Sequence, residues 1–202
     1  MSKKNYPKAW RRFATQVNQS DHQVSVELGN KFDRLARWAA RFRLAKSFKR
    51  LDLGDHYASP LTPQLYSAIT RIFLTYTAFE TYCRIIGLNP SQEAQLEAWQ
   101  NEQSQTTIIE EIRRLDPKHT FSSFLEEHLE GVALKRMMRD FIEGKDVNIS
   151  FLARCTRHIF AHGVLTAHSS NLSVKRFEEV SQIISDFLIN CMDRDFDSRV
   201  AK

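Results

Sequence analysis

Apolar positions recur at three- and four-residue spacing along most of the chain, which predicts helices rather than strands. Leu28, Phe32, Leu35, Ala39 and Phe42 make one stripe, and Arg34, Arg37 and Arg41 fall on another face. The stripe loses phase after Phe42, so the helix is expected to bend or end there. Residues 53–60 read as a loop. A strong helix follows, with Leu65, Ile69, Ile72, Phe73, Tyr76, Phe79, Tyr82, Cys83 and Ile86 on a broad apolar face. Thr62 is its expected N-cap and Pro63 its first helical residue. Gly87-Leu88-Asn89-Pro90 is its stop.

The remaining segments are shorter. Residues 1–26 are polar, with Trp10 and Phe13 placed to anchor a short helix. Residues 91–105, rich in Gln and Glu, read as an exposed helix or loop between core elements. Ile108, Ile109, Ile112 and Leu115 predict a short helix stopped at Asp116-Pro117. Phe121, Phe124, Leu125 and Leu129 predict another, and Val132 to Ile142 one more, ended by Gly144. Ile149, Leu152, Ala153, Thr156, Ile159 and Phe160 keep an inward spacing over 149–163. A last helix is expected from about Ser173 to Arg194.

Composition agrees. Six Gly and five Pro in 202 residues supply few of the tight turns a sheet-rich fold needs, so the fold class is all-α. The apolar fraction, 42%, suffices for a core. Cys83, Cys155 and Cys191 are odd in number and form no CxxC pair, which speaks against a disulfide framework or a zinc site and fits a cytoplasmic protein. No apolar run is long enough to span a bilayer. Met1 to Pro7 lacks an apolar stretch after its lysines, so no secretory leader is expected. The net charge of +5 permits a polyanionic partner. Its distribution is uneven: Lys31 to Arg50 carries eight basic residues and one acid, Asp33.

The chemistry concentrates at Arg157-His158-Ile159-Phe160-Ala161-His162-Gly163. A guanidinium and two imidazoles near the end of a buried helix are costly to bury unpaired, so they are expected to line a cleft. Gly163 fits a helix terminus. Histidine supplies an acid/base near neutrality, and arginine's planar fork suits phosphate oxygens. His158 and His162 also stand at i, i+4, a spacing that suits a metal. The glutamate of an HExxH motif is absent, and neither a metal nor another cofactor is expected.

Arg157-x4-His162, with His158 directly after the arginine and Gly163 after the histidine, resembles the signature of HEPN domains. The stretch Ile72-Phe-Leu-Thr-Tyr-Thr-Ala-Phe-Glu80-Thr-Tyr82 has the texture of that family's early helix. The resemblance covers roughly residues 62–192. It implies an up-and-down bundle over 58–202, with 1–57 as a basic helical extension packed on its core. It also implies a metal-independent endoribonuclease acting on single-stranded RNA, of the kind found among toxins of toxin–antitoxin pairs and antiphage effectors. His162 would be the acid/base and Arg157 the phosphate clamp. His158 would orient the phosphate or His162, and Glu80 would hydrogen-bond within the site. Residues five apart stand about 140° apart around an ideal helix and about 7.5 Å along it. Arg157 and His162 therefore do not share a face by phase alone. The family's pairing of two protomers implies a homodimer with a composite cleft, and an antitoxin or regulator as a further partner.

Each feature has an alternative. The motif could serve folding or partner binding in a catalytically inactive adaptor for RNA, nucleotide or protein. The Lys31–Arg50 segment reads as a solvated face, as an RNA-backbone surface, or as a surface for a membrane or an acidic protein. Arg41, Arg43, Lys46, Lys49 and Arg50 are its candidates for phosphate. Arg154 reads as a phosphate contact or an ion-pair partner, and Glu80 as a site residue or a surface salt bridge. His168 reads as a solvated loop residue, and Cys155 as core.

Overall fold

The computed structural model describes residues 5–18, 28, 30–54, 56–57, 59–99, 102–161 and 173–201, the side chains of 93, 97, 98, 102–104 and 161 excepted. Every regular element among them is an α-helix: α1 (Trp10–Asn18), α2 (Phe32–Ser47), α3 (Leu61–Ile85), α4 (Glu93–Trp99), α5 (Glu102–Leu115), α6 (Thr120–His128), α7 (Val132–Ile142), α8 (Ile149–Ala161) and α9 (Val174–Ala201). The fold is an all-α bundle. No helix among the described residues is long and apolar enough to cross a membrane.

Helix α3 is the axis. It packs most extensively on α9, then on α2 and α8. Lys31 Nζ donates to the Ile85 carbonyl and Arg71 to the carbonyls of Phe48 and Lys49, so α2 runs antiparallel to α3. The buried cluster is continuous from Ala9 to Val200. Segments before residue 58 supply much of its centre. Trp38 packs tilted against Tyr82 at 4.5 Å and edge-on against Phe196 at 5.0 Å between ring centroids, and its indole N–H donates to Met192 Sδ. Fully burying such aromatic side chains contributes about 2–3 kcal/mol each by area.

Several helix ends differ from expectation. Helix α2 does not stop near Phe42. It continues to Ser47, because buried Ala45 extends the stripe while exposed Leu44 obscures it. Thr62 is not the N-cap of α3: Pro60 holds that position and Pro63 is the third helical residue, where an N–H has no intrahelical acceptor in any case. The other end matches expectation. Gly87 adopts φ +83, and the Leu88 N–H reaches back to the Cys83 carbonyl at 2.8 Å, a Schellman closure.

The 91–105 segment is not merely an exposed insertion. Leu96 is buried, Trp99 stacks on Phe79 and Tyr82, and the buried Gln105 Oε1 accepts from the Ile149 N–H at 3.2 Å. Helix α9 runs past Arg194 to Ala201, since Phe196 and Val200 continue its apolar stripe. The acids there face inward. Asp193 Oδ1 accepts from the Lys8 N–H at 2.7 Å, and Asp195 Oδ2 accepts from both Tyr82 Oη (2.6 Å) and Arg199 Nε (2.7 Å).

Candidate active site

The candidate site forms where the last turns of α8 cross the C-terminal half of α3. Phe160 packs on Phe73, 5.2 Å between centroids, and fixes the register of the two helices. One turn earlier on α8, Arg157 lies over the Tyr76 ring at 6.0 Å and places Nη2 3.9 Å from Glu80 Oε2. Tyr76, Glu80 and Arg84 are spaced four apart and share one face of α3. Glu80 Oε1 accepts from Arg84 Nη2 at 2.9 Å, so one carboxylate bridges two guanidiniums. Burial pushes the Tyr76 hydroxyl up to about 12, with Arg154 and Arg157 opposing and Glu80 adding to the rise. Tyr76 is therefore a neutral ring under Arg157 throughout the physiological range.

Arg154 follows α8's phase and joins the same group. Its guanidinium lies over Phe151 at 5.7 Å, and Nη1 reaches the Ser91 carbonyl at 3.5 Å, at the limit of a hydrogen bond. The Nε atoms of both Arg154 and Arg157 are buried with no hydrogen-bond partner among the described residues. The Arg157 side chain is 40% exposed, so this cation is held by the bundle yet reachable from solvent. His158 is half-buried beside it, with a buried Nε2. His162, Gly163 and His168 lie outside the described residues. Among the described residues, no group of three or more His, Cys, Asp or Glu is placed to hold a metal ion.

The expected RNA-contacting residues divide into two sets. Arg41 donates to Thr81 on α3, the neighbour of Glu80. Arg34 and Arg37 are exposed on the same face of α2 as Arg41. Arg43 instead bonds to Tyr6 Oη at 3.3 Å and covers its ring, and Lys46 pairs with Asp193 at 3.6 Å. Both belong to the opposite side of α2. Lys49 and Arg50 are exposed in the segment that follows.

Sequence reasoning did not single out Arg84, Tyr76 as a ring beneath Arg157, or the turn after α3. The first two had a signal, since each stands four residues from Glu80 on a helix. The turn had none, because its role depends on α8 arriving beside it. Cys155 is buried, as expected. Comparison of the chain with protein-family models, curated proteins and solved structures finds no match, so the site's own chemistry carries the functional reading.

Proposed function

We propose that this chain is a metal-independent endoribonuclease of HEPN type that cuts single-stranded RNA, with Arg157 and His162 as its catalytic pair, and that it acts as a toxin or antiphage effector. One observation carries the reading. Arg157 is solvent-reachable at the end of a buried helix, positioned by Glu80 and Tyr76, with a second guanidinium, Arg154, on the same face. A paired arginine held in place with spare donors is what an anionic transition state requires.

The chemistry needs no cofactor. An imidazole takes the proton from a ribose 2′-hydroxyl, the oxygen bonds to the adjacent phosphorus, and the bond to the 5′-oxygen breaks as that oxygen gains a proton. The products are a 2′,3′-cyclic phosphate and a 5′-hydroxyl. Arg157 would neutralise the extra charge on the phosphorane. A homodimer that pairs the two motifs would supply a second imidazole, so that one takes a proton while the other gives one. An antitoxin or regulatory partner would hold such an activity in check. The test is incubation of the purified chain with single-stranded RNA in EDTA. Cyclic phosphate ends are expected. Intact RNA from a correctly folded dimer would reject the reading.

A second reading rests on the ion triad itself. Glu80 already pairs with both Arg157 and Arg84, an arrangement equally suited to an adaptor that binds RNA or a partner without turnover. Binding without cleavage would select it.

A further inference from the structure

A recess of about 580 Å³ opens beside Glu80, the carboxylate that meets Arg157, between the end of α3 and the turn that follows it. Glu80 and Arg84 of α3 line it together with Asn89, Ser91, Gln92 and Gln95. Arg154 is tied to its rim through the Ser91 carbonyl. The volume accommodates one nucleotide unit.

Hydrogen bonds inside the turn orient its three carboxamides. Asn89 Oδ1 accepts from the Ser91 N–H at 3.0 Å, and Gln95 Oε1 accepts from the Asn89 N–H at 2.9 Å. Backbone N–H groups only donate, so the oxygen ends of both side chains are fixed. Gln95 Nε2 in turn donates to Gln92 Oε1. Every carboxamide oxygen is thus occupied within the turn. The amide nitrogens of Asn89 and Gln92 keep their donors, and Arg84 adds a guanidinium that is 70% exposed. The recess holds amide and guanidinium donors around one carboxylate, and no aromatic ring lines it. Such a site reads a base by its edge rather than by stacking.

We infer that this recess is the base subsite for the nucleotide next to the phosphate held by Arg157, and that it selects uracil over adenine. Uracil carries two carbonyl oxygens flanking one N–H. The carbonyls match the Asn89, Gln92 and Arg84 donors, and the N–H matches Glu80, whose carboxylate has lone pairs beyond those used by the two arginines. Adenine offers one ring acceptor beside its 6-amino donor on that edge, so it leaves one of these donors to water and forms one hydrogen bond fewer. The inference rests on the ribonuclease reading for the placement of RNA at Arg157.

The experiment measures fluorescence anisotropy of the full chain with 2′-O-methyl oligouridylate and oligoadenylate of equal length, which bind but cannot be cut. The uridylate is expected to bind about three- to tenfold more tightly, the worth of one or two net hydrogen bonds. Gln92→Ala, at an exposed position, is expected to reduce the preference to less than about twofold, and Gln92→Glu to lower uridylate affinity further. Equal or tighter adenylate binding, or a preference untouched by Gln92→Ala, would overturn the inference. A chain that discriminates yet leaves unmodified RNA intact upholds the recess and rejects the nuclease. A chain that cuts without discriminating rejects the recess alone, and one that binds neither oligonucleotide rejects both.

Discussion

Glu80 and Arg157 meet across the α3–α8 contact with 3.9 Å between Oε2 and Nη2, while Glu80 turns its other oxygen to Arg84 at 2.9 Å. The pair is partly exposed, 21% for Glu80 and 40% for Arg157, so its worth to folding is about 0.2–1 kcal/mol. On the proposed ribonuclease reading its consequence is larger, because Glu80 would both position the guanidinium and compete with phosphate for it. Glu80→Gln keeps the shape and removes the charge. Uncleavable RNA is expected to bind about two- to fivefold more tightly to this variant, while cleavage slows as Arg157 loses its fixed position. Anisotropy titration and initial cleavage rates measure the two effects, and weakened binding would contradict the account.

The two faces of α2 should separate in salt titrations. Arg41 reaches Thr81 of α3, and exposed Arg34 and Arg37 share its face of α2, whereas Arg43 and Lys46 are engaged with Tyr6 and Asp193. Each phosphate contact to a single strand contributes about 0.7 to the slope of log K against log salt. Arg34→Ala/Arg37→Ala/Arg41→Ala should flatten that slope by about 2. Arg43→Ala/Lys46→Ala should leave the slope unchanged and lower stability, since Lys46 faces a nearly buried Asp193.

Stability should fall in mild alkali. Burial raises the Cys83 thiol from 9.0 to about 12, with Asp195 adding to the rise, and raises the Cys191 thiol to about 11 despite the opposing Arg194. Each proton is held more tightly in the folded chain than in the unfolded one. The corresponding stability is complete below the unfolded thiol value of 9.0 and is lost as pH climbs toward 11–12. Each thiol then contributes a slope approaching about 1.4 kcal/mol per pH unit. Urea unfolding from about pH 8 to about pH 10.5 should show this loss, and Cys191→Ala should reduce it.

Much of the fold is legible in the sequence because most core stripes keep strict helical phase. Val132 to Ile142 and the start at Ile149 coincide with α7 and α8. The end of α9 and the 91–105 segment are misread for one cause. Asp193 and Asp195 look like a polar terminus but answer Lys8, Lys46, Tyr82 and Arg199, residues distant in sequence or a turn away. Gln105 looks solvated but caps a backbone N–H of α8 from 44 residues away. Glu80 and Arg157 could be named from sequence, and the structure brings them together. The Asn89–Gln95 segment could not, since what brings it to the site is the arrival of Arg154 at the Ser91 carbonyl.

The most direct measurement compares wild type, Arg157→Ala and His162→Ala for cleavage of single-stranded RNA in EDTA, with thermal unfolding of all three measured in parallel. The account predicts cutting by wild type, its loss in both variants, and melting temperatures within a few degrees of one another, as expected when a polar side chain outside the core is removed. Equal cutting by all three folded proteins, or none by any of them, would contradict it.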